Sequence, residues 1–177
     1  MANDKNIQLK HEETTFMAKQ FPIRLLANKV GLAGNIGSLF RVADAFGVEK
    51  LYLSGLSETA SNLKIRKAAR STHKKVDYSF IESEVELVTK LRSEGYTIIS
   101  LEITSTSQDL RKFVREQKNS LVDKVCLIVG SESEGVEQGL LDVSDYTVHL
   151  PMYGDNTSMN VVTATAIALY ELVNVWV

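Results

Sequence analysis

The chain has 177 residues, 44% of them hydrophobic and 24% charged, with a formal net charge of −2. That length suits one domain with its own core and is short for two, and the proportions are those of a soluble globular protein. No apolar stretch approaches the length of a membrane span, and the single cysteine, Cys126, rules out a disulfide framework.

Residues 1–20 read as a short polar segment without the apolar core of a signal peptide, ahead of a single domain over 21–177. A cytoplasmic protein with no membrane contact is expected. Residues 23–27 form a first strand. Asn35 is placed to cap a helix that reaches Phe46 and stops at Gly47. Residues 50–54 give a second strand. From 64 to 75 the chain carries Lys64, Arg66, Lys67, Arg70, Lys74 and Lys75 with no acid among them. Such a run is first a solvated face, but one basic face on an acidic chain also fits a surface that meets phosphate.

A helix over 82–94 ends at Gly95 and leads into a strand over 96–101. A polar helical segment spans 108–117. Residues 124–129 are the most continuous apolar run, expected to be a central strand buried on both faces. Cys126 lies inside it and reads as a buried small residue rather than a nucleophile. A further strand covers 145–150, and a long helix rich in alanine and aliphatics covers 158–176. Strands alternating with helices predict an α/β fold, a Rossmann-like parallel sheet with helices on both faces. The apolar end, residues 172–177, must bury itself in the core or against another subunit, and a homodimer contact is the expectation.

Three junctions combine glycine with polar side chains. Gly31-Leu32-Ala33-Gly34-Asn35-Ile36-Gly37 follows a strand and opens a helix, but its spacing is wrong for a dinucleotide fingerprint. No acidic residue follows the second strand at Ser54-Gly55 to hold a ribose, which disfavours a nicotinamide enzyme. Arg41 lies further along the same helix. Gly130-Ser131-Glu132-Ser133-Glu134-Gly135 caps the buried strand, at the carboxyl edge where open α/β sheets bind ligands. Glu132 reads as an acceptor of backbone N–H bonds, and no histidine or further acid stands at metal-ligand spacing, so no metal is expected. In the third junction Pro151 fixes the strand exit and Gly154 permits a turn, with Thr157 or Ser158 capping the last helix and Asn160 in its first turn. Capping accounts for Ser158 and leaves Asn160 unexplained.

In this order, Asn35-Ile36-Gly37-Ser38-Leu39-Phe40-Arg41, Gly130 to Gly135, and Leu150-Pro151-Met152-Tyr153-Gly154 through Ser158-Met159-Asn160-Val161 resemble the three motifs of the SpoU (TrmH-type) family of RNA ribose methyltransferases, of the SPOUT superfamily. The resemblance covers about residues 23 to 173. Arg41-Val42-Ala43-Asp44-Ala45-Phe46-Gly47-Val48 and Ala166-Ile167-Ala168-Leu169-Tyr170-Glu171 also follow the family's text. Ser131 stands where the family commonly has asparagine, and Met159 where it has leucine.

The resemblance implies a fold with a C-terminal trefoil knot and transfer of a methyl group from S-adenosylmethionine to a ribose 2′-hydroxyl. It implies a cofactor held by Val129, Gly130, Leu150, Met152, Ser158 and Met159, with Ile128 also excluding water. Arg41 would act on the substrate, in its own subunit or across a dimer, supported by Asn35, Glu132, Ser158 and Asn160. RNA would be gripped by Lys64, Arg66, Lys67, Arg70, Lys74 and Lys75 on the catalytic domain itself, with tRNA favoured over rRNA. The competing reading is an RNA-binding protein on the same scaffold without catalysis. The presence of Arg41, Glu132, Ser158 and Asn160 together weighs against it.

Overall fold

The computed structural model describes residues 6–10, 13–14, 16–55, 63–119, 121 and 123–177. In chain order the elements are β1 (Phe21–Ala27), α1 (Ala33–Ala45), β2 (Val48–Ser54), α2 (Leu63–Ala69), a 3₁₀ turn (Thr72–Lys74), β3 (Tyr78–Ile81), α3 (Glu84–Ser93), β4 (Thr97–Leu101), β5 (Gln108–Asp109), α4 (Leu110–Gln117), β6 (Val125–Val129), α5 (Gln138–Val143), β7 (Tyr146–His149) and α6 (Val161–Val173). The strands form one sheet in the order β3-β2-β1-β6-β4-β7-β5, and every pair is parallel. β6 is the middle strand and all of its residues are buried, as its unbroken apolar text requires.

Alternate strand side chains feed opposite faces of the sheet. One face packs Leu25, Leu51 and Leu127 against Ile36 and Phe40 of α1, Phe113 of α4 and Leu172 of α6. The other packs Leu26, Ile98, Cys126 and Ile128 against Val88 and Leu91 of α3 and Leu140 of α5. Burial pushes the Cys126 thiol up to about 12, so it is inert. Ile128 sits on this second face, away from the site described below.

Several boundaries differ from the sequence reading. Asn35 does not cap α1, because the helix already begins at Ala33 with Leu32 at its cap position. Helix α6 begins only at Val161, so neither Thr157 nor Ser158 caps it and Asn160 does. The short elements α2, β3, β5 and α5 have too few residues to show a periodicity, and α2 with the 3₁₀ turn is the segment read only as a basic run. The apolar C-terminus folds onto its own core: Leu172 and Val175 are buried, and Trp176 lies 6.1 Å from the Phe21 ring, centroid to centroid. Val177, at the end of this segment, is 82% exposed. Among the described residues no helix is long and apolar enough to cross a membrane.

Candidate active site

The register aligns Ala27 with Val129 and Val129 with Leu101, and Leu101 with Val148, so β1, β6, β4 and β7 end along one edge. The loops leaving that edge enclose a cavity of about 840 Å³. All the motif residues expected to hold a cofactor (Val129, Gly130, Leu150, Met152, Ser158 and Met159) line it. Asn35, Glu132 and Asn160 line it as well.

The floor depends on glycine. A Cβ on Gly130 would lie 2.0 Å from the Gly135 carbonyl carbon and 2.2 Å from the Val136 nitrogen, both backbone atoms that cannot swing aside. Glycine here lets the 130–136 loop fold back on itself. Ser131 and Gly135 close that loop with two backbone bonds of 3.0 and 3.1 Å, and Ser131 Oγ accepts the Glu134 N–H at 3.1 Å. Serine at 131 is thus a turn residue whose hydroxyl oxygen accepts a bond within its own loop.

A continuous chain of hydrogen bonds joins the three motifs at the lip of the cavity. Asn160 Oδ1 accepts the N–H groups of Val162 at 2.9 Å and Thr163 at 3.3 Å, which satisfies the open end of α6. The Nδ2 of Asn160 donates to Asn35 Oδ1 at 3.2 Å. Asn35 Nδ2 in turn donates to Glu132 Oε1 at 2.5 Å, and Glu132 Oε2 accepts the Gly31 N–H at 3.3 Å. Partial desolvation works to raise the Glu132 carboxyl, but the bonds from Asn35 and from the backbone at Glu132, Gly31 and Leu32 outweigh it and hold the carboxyl below its ordinary value. Glu132 therefore stays ionised and fixes the Asn35 amide, whose oxygen is left to face Asn160.

Arg41 is not part of this constellation. It lies exposed on α1, nearly two turns beyond Asn35, and does not line the cavity of its own chain. The helix α2 of the basic segment packs on this same helix at Gly37. A Cβ there would come within 2.4 Å of the Ala68 side chain and 2.8 Å of the Ile65 carbonyl oxygen. Arg66, Lys67, Arg70, Lys74 and Lys75 are all exposed, while the Lys64 side chain lies outside the described residues.

Residues that the sequence reading passed over also line the cavity, chiefly Glu102, Ile103 and His149 at the ends of β4 and β7. Position after a strand's carboxyl end could have flagged them, but they sit in no glycine-bearing motif. Among the described residues the ionisable lining is Glu102, Glu132, Glu134 and His149, with no lysine or arginine, which suits a cationic ligand between apolar walls. Among the described residues no group of three or more His, Cys, Asp or Glu is arranged to hold a metal ion.

Comparison with known proteins places this geometry in context. The profile of the SpoU rRNA Methylase family matches residues 22–170. The 23S rRNA (guanosine(2553)-2′-O)-methyltransferase RlmP of Bacillus subtilis is 29% identical over 148 residues, 84% of this chain but only 56% of that protein. The tRNA (guanosine(18)-2′-O)-methyltransferase of Aquifex aeolicus is 27% identical over 165 residues, 93% of this chain and 74% of the relative. Among solved structures, the A. aeolicus TrmH/SpoU tRNA modifying enzyme superposes with a TM-score of 0.76 at 26% identity, over 88% of this chain and 75% of that one. AviRb from Streptomyces viridochromogenes, solved in complex with AdoMet, shares the fold with a TM-score of 0.74 at 23% identity, over 93% and 61% of the two chains. The span of the family match and the junction of the three motifs at one cavity agree, and this chain belongs to the SpoU methylase family.

Proposed function

We propose that the chain is an S-adenosylmethionine-dependent RNA ribose 2′-O-methyltransferase. The observation that carries this reading is the Asn160–Asn35–Glu132 chain, which ties all three motifs to the mouth of one cavity. The residues fit the cofactor. The cavity has the volume of a small-molecule site, the bare Gly130 lets a ligand approach the backbone, and Leu150, Met152 and Met159 offer apolar contact. The carboxylates of Glu102, Glu132 and Glu134 around the site suit a cation. When bound, S-adenosylmethionine supplies an electrophilic methyl group on a positively charged sulfur.

The chain's own part is alignment and charge. Displacement at the methyl carbon needs the ribose oxygen held in line, and we assign that task to the amide of Asn35, fixed on both sides, with Ser158, which also lines the cavity. A guanidinium stays protonated in proteins, so Arg41 acts as a cation that holds the neighbouring phosphate and stabilises the developing alkoxide, not as a base. Arg41 lies outside its own cavity, so we assign it to the site of a second subunit in a homodimer. The exposed basic side chains of the α2 segment, with Lys64, then hold the RNA backbone. The reading includes the family's trefoil knot in the C-terminal segment and a cytoplasmic location. Between substrates, tRNA is favoured because the A. aeolicus tRNA enzyme is matched over 74% of its length and the B. subtilis rRNA enzyme over 56%.

The test is radiolabelled methyl transfer from S-adenosylmethionine into separated tRNA and rRNA pools, with wild type beside Arg41→Ala and the labelled nucleosides identified. Arg41-dependent 2′-O-methyl label in tRNA is expected; no label in either pool from protein that binds the cofactor refutes the reading. Mixing Arg41→Ala with Gly130→Ala, each inactive alone, tests the shared site. Random pairing restores about a quarter of the activity if Arg41 acts across the dimer, and none if it acts in its own subunit.

A further inference from the structure

The connection between β4 and β5, residues 102–107, carries none of the three motifs, yet it is bonded to two of the strand ends that shape the cavity. Glu102 donates its N–H to Val148 O of β7 at 2.9 Å. Its carboxylate accepts two amides, Val136 N–H at 2.9 Å through Oε2 and Ile103 N–H at 2.8 Å through Oε1. Gly135 has a φ of +69°, and a Cβ there would lie 2.3 Å from Glu102 Oε2, so the carboxylate rests on its bare α-carbon. At the other end of the connection Ser107 Oγ lies 2.9 Å from His149 Nδ1 and accepts the Thr104 N–H at 3.0 Å. The same short segment thus grips the 130–136 loop and the end of β7.

These contacts bear directly on Gly130. The atoms that crowd it are the carbonyl group of Gly135 and the nitrogen of Val136, and Glu102 holds the second while lying against the first residue. We propose that Glu102 is a positioning residue for the methyl donor. Its carboxylate fixes the returning arm of the 130–136 loop, so the backbone at Gly130 keeps the one conformation that leaves the floor open. Glu102 acts through the loop and is assigned no contact with the reacting atoms. The two N–H donors meet different oxygens of this side chain, and glutamine would set an NH₂ donor at one of them. The Ser107–His149 contact anchors the far end of the segment and keeps Glu102 from following the loop.

The proposal rests on the reading of the cavity as the S-adenosylmethionine site, and Glu102→Gln tests the two separately. The substitution preserves shape but turns one acceptor into a donor that faces an N–H. In the ligand-free protein, hydrogen exchange at the Val136 amide is expected to speed up by about tenfold or more. Calorimetry is expected to give an S-adenosylmethionine Kd raised by about tenfold. The KM for the methyl donor should rise by the same factor, while kcat at saturation moves by less than about twofold. Unchanged exchange at Val136 overturns the proposal, and so does an unchanged Kd in the variant when wild type binds. Wild type that does not bind S-adenosylmethionine overturns the functional reading and the proposal with it, even where the exchange difference appears.

Discussion

Asn160 and Asn35 are hydrogen-bonded side chain to side chain at 3.2 Å although 125 positions separate them. The same Asn160 side chain closes the first turn of α6 through its oxygen. One amide thus does two jobs with its two ends, and the jobs can be separated by substitution. Aspartate caps a helix as well as asparagine, but it has no proton to give Asn35.

Asn160→Asp is therefore expected to keep the melting temperature of wild type while lowering methyl transfer by at least about tenfold. Asn160→Ala loses the cap too, at a cost of about 1 kcal/mol, or a melting point lower by about 2–4 °C in a protein of this size. Thermal denaturation beside single-turnover methyl transfer separates the cases. A fully active aspartate variant would show that the link to Asn35 has no part in the site.

The sequence made the sheet and the position of the cavity legible because both depend on local signals. The run ending at Val129 is apolar throughout, and glycine at 130 marks a junction at its carboxyl end. Asn160 was misread for a physical reason. Capping preference is shared by Thr157, Ser158 and Asn160 alike, and only the path of the chain through 151–160 decides which of them meets the open N–H groups. Glu102 was invisible on similar grounds: its partners Val136 and Val148 are distant in sequence and are bonded through their backbones, which leave no trace in residue type. The basic segment showed its charge but not its place, since Gly37, which brings α2 onto α1, reads equally well as a turn glycine.

Glu132 ties stability to pH with a definite sign. Its carboxyl is held low in the folded protein, so the ionised form favours folding. That contribution is complete above the ordinary glutamate value of about 4.3 and is lost as pH falls through the lower, folded value. Glu132→Gln has no proton to take up there. The gap in melting temperature between wild type and this variant should be constant near neutrality and narrow below about pH 4. A pH series of thermal melts tests it, and a gap that stays constant down to pH 2.5 would falsify the assignment of Glu132 as an ionised anchor.

Gly37 should link the helix pair to RNA binding. An alanine Cβ there would press on the Ala68 side chain and on two backbone atoms, Ile65 O and Ala69 N, all within 2.9 Å. Relief requires α2 to move off α1, which costs about 1–3 kcal/mol as overpacking does elsewhere. Gly37→Ala is expected to lower the melting temperature and weaken tRNA binding by displacing the basic face, with S-adenosylmethionine affinity unchanged because Gly37 faces α2 and does not line the cavity. Equal losses in both affinities would contradict that separation.

The basic face itself can be tested through salt. If Arg70, Lys74 and Lys75 neutralise phosphates, each adds to the slope of log affinity against log salt, by about 0.7 per contact on single-stranded RNA and about 0.9 on a duplex. Lys74→Glu with Lys75→Glu should weaken tRNA binding and flatten that slope, while S-adenosylmethionine binding measured by calorimetry stays at the wild-type value. A solvated face that merely keeps the chain soluble gives neither change. A weaker affinity with the original slope would mean that the substitutions disturbed the packing of the 3₁₀ turn under Val76, which is buried, rather than removing contacts to phosphate. The slope therefore separates an RNA-binding surface from a structural one, which the affinity alone does not.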